Sequence, residues 1–275
     1  EAVTAFSRAA ELNPHSPQIL WGLGQAYIRT GNREEGRRVL ERSKTLRQQD
    51  RDLGSDVTPP AAGAVPVGPA KAHHGLGLHR AVRGDLEVSA REYRNAITID
   101  STYVDGFSGL GIVLMMQGDY DSAIDTLRRA ASLTPDDAVI LTRLGLALLK
   151  AGHLDQSRKA LARADANDQA FPELSYTRGL LAARMGNLDE ARAHFGRAVE
   201  LRPGYRDALL NLGVMSMKTR RYQMAADAYA KLVELDASDA RAHRYLSDAY
   251  QKLGRIVESQ THRRHAEQLR AGETQ

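Results

Sequence analysis

The hydrophobic and polar positions of this chain repeat with a period of 34 residues. One glycine series keeps this spacing and then steps onto Ser247: Gly77, Gly111, Gly145, Gly179 and Gly213. A second glycine series lies seven residues behind the first, and Arg220 interrupts it between Gly186 and Gly254. A column of small residues has the same spacing: Ser89, Ala123, Ser157, Ala191, Ala225 and Ser259. A column of large apolar residues also has it: Tyr93, Leu127, Leu161, Phe195 and Tyr229. Self-similarity at one fixed period indicates an array of a single supersecondary unit.

Residues 104–137 show what one unit contains. An apolar segment of helix-forming residues ends at Gly118, which is typical of a helix terminus. The segment that follows has apolar residues at steps of three and four along one face, and Pro135 then stops it. We therefore predict two antiparallel helices per unit, called A and B. The small column lets their axes approach closely, and the large column fills the adjoining hollow.

These features resemble the tetratricopeptide repeat. The resemblance rests on the period, on the Leu-Gly pairs at 110–111, 144–145 and 212–213, on the small column, and on Pro135 and Pro203 at unit ends. It implies an all-α fold, an α-solenoid of helix-turn-helix repeats that forms a right-handed superhelix. Its inner wall would be lined mainly by A helices.

In this register the chain divides into repeats and two atypical segments. The predicted full repeats are 17–50, 70–103, 104–137, 138–171, 172–205, 206–239 and 240–275. The first helix of 70–103 is weak because it holds two glycines and three histidines, and the last repeat ends in a polar capping helix. Residues 1–16 match only the second helix of a truncated repeat. Since they also lack Met, we expect the natural N-terminus, and any signal peptide, to be missing.

The segment 51–69 is a Pro/Ala/Gly-rich insertion between two repeats. Its prolines exclude regular helix and favour an extended, polyproline-like conformation. Two interpretations stay open: a flexible loop at the edge of the solenoid, or a strap that docks into the superhelix or onto a partner.

Composition and charge exclude several kinds of function. The chain has no cysteine, which excludes disulfides, Fe–S clusters, thiol nucleophiles and cysteine-bound zinc. No apolar stretch approaches the roughly 18 residues that a membrane-spanning helix needs, so we expect a soluble protein that is not integral to a membrane. The net charge of +4 is modest, and arginines alternate with acidic residues, so we predict no nucleic-acid binding. The compartment stays open between cytoplasmic and exported, and the absence of cysteine slightly favours export.

The sequence contains none of the motifs that carry known chemistry. Gly-Leu-Gly at 22–24, 75–77 and 109–111 lies inside A helices and lacks the third glycine of a dinucleotide site. We therefore predict no enzymatic activity, no cofactor and no metal site. The remaining histidine groups are expected to face solvent: His73, His74 and His79 in one repeat, and His262 and His265 in the last.

Family resemblance assigns a binding groove to particular A-helix positions. The ninth and twelfth positions of successive repeats are apolar: Leu78, Ile112, Met115, Leu146, Leu149, Leu180, Val214 and Met217. Because these positions are not expected to seal one hairpin to the next, we predict an exposed apolar stripe, which usually marks an interaction site. A basic row is predicted beside the stripe: Arg143, Lys150, Arg184 and Lys218. Leu210 and Val214 stand where a carboxylate clamp needs polar groups, so that family function is not predicted.

The stripe and the basic row predict a protein-binding scaffold. Its partner would be an amphipathic helix or an extended peptide that carries acidic residues. Two other functions stay open, namely self-association into an oligomer or filament, and service as the recognition arm of a larger enzyme or assembly. The stripe could also be filled by packing between repeats or by an internal strap.

Overall fold

The chain folds into paired α-helices. A computed structural model describes residues 17–52, 68–166 and 171–272, together with positions 3, 6, 7 and 10. The predicted half repeat over 1–16, apart from those four positions, and nearly all of the predicted insertion over 51–69 lie outside the described residues. Every regular element in the described part is an α-helix. These helices are α1 (Pro17–Arg29), α2 (Arg33–Asp52), α3 (Pro69–Val82), α4 (Leu86–Ile99), α5 (Val104–Gln117), α6 (Tyr120–Leu133), α7 (Ala138–Lys150), α8 (Leu154–Asp165), α9 (Pro172–Arg184), α10 (Leu188–Leu201), α11 (Arg206–Lys218), α12 (Tyr222–Leu235), α13 (Ala240–Lys252) and α14 (Ile256–Gly272).

The helices are grouped in two compact units, Glu1–Leu133 and Thr134–Gln275, called the first and second unit. In each unit an odd-numbered helix packs on the even-numbered helix that follows it, as an A and a B helix do in a hairpin. In the first unit α4 also packs on α5, and in the second unit α10 packs on α11 and α12 on α13. No helix in the described part of the chain is long and apolar enough to cross a membrane.

Close contact between glycine and the large column sets the spacing inside each hairpin. A methyl group placed on Gly111 would lie 2.6 Å from Leu127 Cγ, and one on Gly145 would lie 2.6 Å from Leu161 Cδ2. The same overlap would arise at Gly179 against Phe195. Any side chain larger than hydrogen would push the two helices apart. The residues of the large column named in the sequence are buried, as predicted.

The small column adds a hydrogen bond wherever it holds serine. Ser89 Oγ donates to the carbonyl of Gly77 at 2.6 Å, and Ser157 Oγ donates to the carbonyl of Gly145 at 2.7 Å. These serines are fully buried, so each hydroxyl needs such a partner. Where the column holds alanine, the carbonyl of the A-helix glycine keeps only its hydrogen bond within its own helix. The small residues are therefore selected by the space between the helices, and either Ser or Ala fits it.

Each of the seven A-to-B turns between the described helices contains a left-handed residue. Glycine occupies this conformation at Gly31, Gly84, Gly118, Gly152, Gly186 and Gly254, with φ between 76° and 89°. The exception in the sequence is also the exception in the structure, since Arg220 adopts φ of 59°. A side chain in this region crowds the backbone carbonyl, whereas glycine enters it freely. The turn between α11 and α12 is therefore strained.

The third helix is continuous, and its histidines do not all face solvent. The prediction of solvent-facing histidines is wrong for His73, which is only 2% exposed, and its Nδ1 lies 2.6 Å from Glu92 Oε2. His74 is half-buried, with its ring 5.4 Å from that of Tyr93 and 5.7 Å from that of Tyr103. The hydrogen-bonded Glu92 satisfies the Nδ1 atom of the buried imidazole, which the sequence alone did not reveal.

The last hairpin lacks the apolar contact that joins the others. Arg263 stands in the large column and is exposed, with its guanidinium 3.3 Å from Gln251 Oε1. Ser247 replaces the glycine, and its Oγ donates to the carbonyl of Ser259 at 2.8 Å. A polar link therefore replaces an apolar contact between α13 and α14.

We expect Arg220→Gly to stabilise the second unit. Relief of the left-handed strain, at about 1–2 kcal/mol, exceeds the extra chain entropy of glycine, at about 0.5–1 kcal/mol. The net gain should be about 0.5–1 kcal/mol, measured as a rise in the urea midpoint at unchanged slope. Gly186→Ala is the matched control and should lower the midpoint. An unchanged or lower midpoint for Arg220→Gly would contradict the strain.

Two further glycines should respond to alanine with opposite signs. Gly145→Ala forces a methyl group against Leu161 and should cost about 1–3 kcal/mol of unfolding free energy. Gly196 lies inside α10, and its added methyl would meet nothing within 4 Å. Gly196→Ala should therefore stabilise the chain by about 0.5–1 kcal/mol through helix propensity. Urea unfolding of both variants checks this, and equal effects would show that the interhelical contact is unimportant.

Candidate functional site

The predicted apolar stripe is half-buried in the second unit. Leu146, Leu180, Val214 and Met217 each keep part of their surface in contact with solvent. Leu149 does not, because it is only 7% exposed and belongs to the core. The expectation that these positions take no part in hairpin packing is therefore wrong for Leu149, which is buried, and also for Leu180, Val214 and Met217, which pack against the core with part of their surface.

Packing inside the second unit uses one side of the stripe. Leu180, Val214 and Met217 lie against a core cluster that includes Phe195, Leu209 and other residues of α9–α13. Each of these three side chains has one surface in the core and another at the solvent. The stripe is thus a shallow, partly solvated apolar surface, held in place by the core beneath it.

The first unit has a more exposed set of apolar side chains. Leu78 on α3 is 54% exposed, and Ile112 and Met115 on α5 are half-buried. Met116, next to Met115, is also exposed. Because α3 packs against α5, these side chains belong to neighbouring A helices. Flexible methionines suit a surface that adapts to its ligand.

The predicted basic row is exposed in the second unit. Lys150, Arg184 and Lys218 are exposed at the thirteenth position of α7, α9 and α11. Within the described residues, none of these three cations has a carboxylate oxygen within 4.0 Å. Arg143 differs, because it is half-buried. Three consecutive A helices therefore offer positive charge that is not paired with a carboxylate of any described residue within 4.0 Å.

Spacing along each A helix brings charge and apolar surface together. Leu146 precedes Lys150 by four residues, Leu180 precedes Arg184 by four, and Val214 precedes Lys218 by four. Residues four apart lie on the same helix face. Each of the three helices therefore presents one apolar group with one cation beside it.

A group of tyrosines lies among the A helices of the second unit and was missed in the sequence. Tyr176 on α9 packs on Tyr205, with ring centroids 5.1 Å apart. Asn211 Nδ2 donates to the hydroxyl of Tyr176 at 3.4 Å. Tyr176 and Asn211 stand at the fifth and sixth positions of their repeats. The apolar groove was predicted from the ninth and twelfth positions alone, so Tyr176 at the fifth position was not included.

Burial governs the ionisation of these tyrosines. Burial, together with smaller contributions from Tyr176, Glu173 and Asp207, raises the pKa of Tyr205 to about 12, and Arg202 opposes the shift. Burial also raises the pKa of Tyr176, with a smaller contribution from Asp207, while the hydrogen bond from Asn211 opposes the shift. Both phenols are thus neutral hydrogen-bonding groups at physiological pH.

One group of three side chains in the described residues has the geometry to hold a metal ion. It consists of His243 on α13 with His262 and His265 on α14. The expectation that His262 faces solvent is wrong, because its ring stacks on that of His243 with centroids 5.1 Å apart. These histidines stand outside the predicted groove positions.

Comparison with protein families identifies the repeat. Two family models, both described as "Tetratricopeptide repeat", match this chain. One matches residues 1–55 and 114–181, and the other matches 176–240. The stretches 56–113 and 241–275 match neither model. No curated protein matches the chain in sequence.

Solved structures share the fold at low sequence identity. A structure of pilF from Pseudomonas aeruginosa has a TM-score of 0.61 and 20% identity, and the alignment covers 70% of this chain and 88% of that one. PilW, described as a widely conserved type IV pilus biogenesis factor, has a TM-score of 0.63 and 16% identity, with 71% and 91% covered. The Cut9–Hcn1 structure of the APC/C has a TM-score of 0.63 and 19% identity, with 97% and 49% covered. These similarities concern the fold alone.

We expect the tyrosine group to make stability sensitive to alkaline pH. The pKa of Tyr205 is higher in the folded chain than the roughly 10 of an unfolded tyrosine, so folding favours its neutral form. This contribution is complete below about pH 10 and is lost as the pH rises towards 12. Tyr205→Phe should therefore flatten the fall in unfolding free energy over this range, measured by urea unfolding at several pH values. The two proteins should show parallel curves between pH 7 and 9, and parallel curves up to pH 12 would disprove the assignment.

Proposed function

The chain belongs to the tetratricopeptide repeat family, and we propose that it is a non-catalytic scaffold whose A helices bind a segment of another protein. Repeats of this kind serve as protein-interaction scaffolds. The proposed binding surface in the second unit consists of Leu146, Leu180, Val214, Met217 and the basic row, with Arg143 and the largely buried Leu149 at its base. In the first unit the corresponding surface is Leu78, Ile112 and Met115.

The exposed basic row is the observation that carries the proposal. Charge on three consecutive A helices, with no carboxylate oxygen of a described residue within 4.0 Å, favours a ligand that brings its own carboxylates. The half-buried apolar groups beside the row favour a ligand with an apolar face. An amphipathic helix, or an extended peptide with alternating acidic and apolar residues, has both properties.

Charge reversal in the basic row should weaken the binding of such a peptide. The probe is a synthetic 18-residue amphipathic helix, on the order of five turns long, with leucines on one face and flanking glutamates. Lys150→Glu combined with Lys218→Glu should raise its Kd about tenfold or more, because each attraction becomes a repulsion. Fluorescence anisotropy at low and high salt measures this. The salt dependence should shrink in the double variant.

A matched pair of lysines controls for net charge. Lys159 and Lys231 are exposed on the B helices α8 and α12, so Lys159→Glu with Lys231→Glu changes the total charge equally. This control should leave the Kd within about twofold of the unmodified protein. Equal weakening by both pairs would show that the peptide senses only overall charge, and it would contradict the proposed surface.

A methionine pair tests the apolar part in the same assay. Met217→Ala removes a half-buried side chain of the proposed surface, whereas Met185→Ala removes an exposed one from an A-to-B turn. Only Met217→Ala should weaken the binding of the peptide.

Light scattering over a tenfold or greater concentration range separates this function from self-association. A dimer or growing assembly that Met217→Ala dissolves would make a second copy of the chain the ligand.

A further inference from the structure

We propose that His243, His262 and His265 form a binding site for a divalent transition-metal ion of the Zn²⁺ type, which links α13 to α14. The site is independent of the proposed peptide-binding surface. Each histidine offers one ring nitrogen, and the three nitrogens lie within 4.8 Å of one another. Nitrogens bound to one tetrahedral zinc at about 2.0–2.1 Å lie roughly 3.3 Å apart, so small side-chain rotations suffice.

The helices place the three rings on a common face. His262 and His265 are three residues apart on α14, which puts both on one side of the helix. His243 lies at the fourth residue of α13, with its ring centroid 5.4 Å from that of His265. The rings of His262 and His265 are 6.3 Å apart at nearly right angles, so they can approach one ion from different directions.

A backbone hydrogen bond orients His243 for metal binding. Its Nε2 lies 3.1 Å from the carbonyl oxygen of Ala237. Since a carbonyl can only accept, Nε2 carries the proton, and Nδ1 of the neutral ring presents its lone pair. A hydrogen bond from the second ring nitrogen to a backbone carbonyl is how proteins usually fix the tautomer and direction of a metal-binding histidine.

The Nδ1 atoms of His243 and His262 already lie close together. They lie 2.8 Å apart, so in the metal-free chain a proton must sit between them, donated by His262 to His243. A metal ion replaces this proton by accepting both lone pairs. The displaced proton moves to Nε2 of His262, so a neutral ring binds metal by a change of tautomer alone.

The surroundings keep His262 available as a ligand. Burial lowers its pKa, and the neighbouring His243 and His265 lower it further. A metal ion binds the neutral form of an imidazole ring. His243 is buried and His265 is exposed, so the cluster opens to solvent on one side. Three histidines leave the fourth tetrahedral position to water.

The last hairpin gives the site a structural purpose. Its large column holds the exposed Arg263, and Ser247 replaces glycine in the glycine column. Few side chains of α14 are buried, since among the described residues only Ser259 and Ala266 are. A metal link between α13 and α14 would compensate for the missing apolar contact, because binding to the folded state alone adds to stability.

Another hairpin of the same chain provides an internal comparison. His73 and Glu92 occupy the same repeat positions as His243 and His262, and they are also 19 residues apart. Asn95 stands there where the last hairpin has His265. His73 and Glu92 therefore form a hydrogen-bonded pair with asparagine at the third position, whereas the last hairpin has histidine at all three positions.

Titration of the tag-free chain with Zn²⁺ tests the proposal. Competition against a chromophoric chelator should give one ion per chain, and His265→Gln should weaken binding about 100-fold or more, beyond the 10–100-fold typical of outer contacts. His265 is exposed, so this variant should fold normally. His243→Gln should weaken binding similarly, and circular dichroism checks its fold. His153→Gln, at an exposed histidine outside the cluster, is the matched control and should not change the affinity.

Two further readouts distinguish a built site from surface capture. Co²⁺ should give the intense visible d–d bands of a tetrahedral complex in the unmodified chain, and these bands should be absent in His265→Gln. Zn²⁺ should also raise the urea midpoint of the unmodified chain and not that of the variant. Binding that survives His243→Gln and His265→Gln unchanged, or the absence of any one-to-one binding, would overturn the proposal. Peptide binding by the basic row is measured separately, so either proposal can fail alone.

Discussion

Contact between a glycine in the A helix and a large side chain in the B helix determines how each typical hairpin is built. Because the backbone of one helix touches the side chain of the other, the two axes have little freedom to slide or separate. Gly111 with Leu127 and Gly145 with Leu161 show the contact in the first and second unit. The buried Ser89 and Ser157 strengthen it by donating to the carbonyl of the neighbouring A-helix glycine. Once this contact is set, the rotation about its own axis of each A helix that makes it is set too.

The candidate surface is a consequence of that rotation. With the glycine turned towards the B helix, the residue that follows it, such as Leu146 or Leu180, reaches the edge of the core and stays half in solvent. The cation four residues later is directed outwards on the same face. A row of charges on α7, α9 and α11 therefore arises from one local geometry repeated three times. Repetition of this kind lets a helical array present an extended, regular surface to a ligand.

Several hairpins have residues that depart from the repeat pattern. Arg220 takes a left-handed conformation that glycine occupies elsewhere, and Arg263 replaces an apolar residue of the large column. Histidine stands at the fourth repeat position in two hairpins, and both lie in stretches that the family models do not match. In both hairpins a polar contact joins the two helices at these positions, His73 with Glu92 in one and His243 with His262 in the other.

The amino-acid sequence by itself determined the helical hairpins, because their signals are local. Glycine spacing, the two columns and the helix-ending residues lie within one period, and each acts through backbone conformation or through neighbours on one helix face. Gly118, for instance, was predicted to end a helix, and α5 ends at the residue before it. The sequence also predicted a basic row from the shared repeat position of Lys150, Arg184 and Lys218, and all three side chains are exposed.

Only the tertiary structure decided which members of each series are exposed and which polar groups meet. Leu149 and Met217 share a repeat position, yet the first is buried and the second half-buried, because the side chains packed around them differ. His243 and His262 are 19 residues apart on different helices, and their contact depends on how closely α13 and α14 approach. That distance is set by every side chain between the two helices together. The periodicity of the sequence identifies the elements, whereas the fit between their surfaces exists only once they are packed.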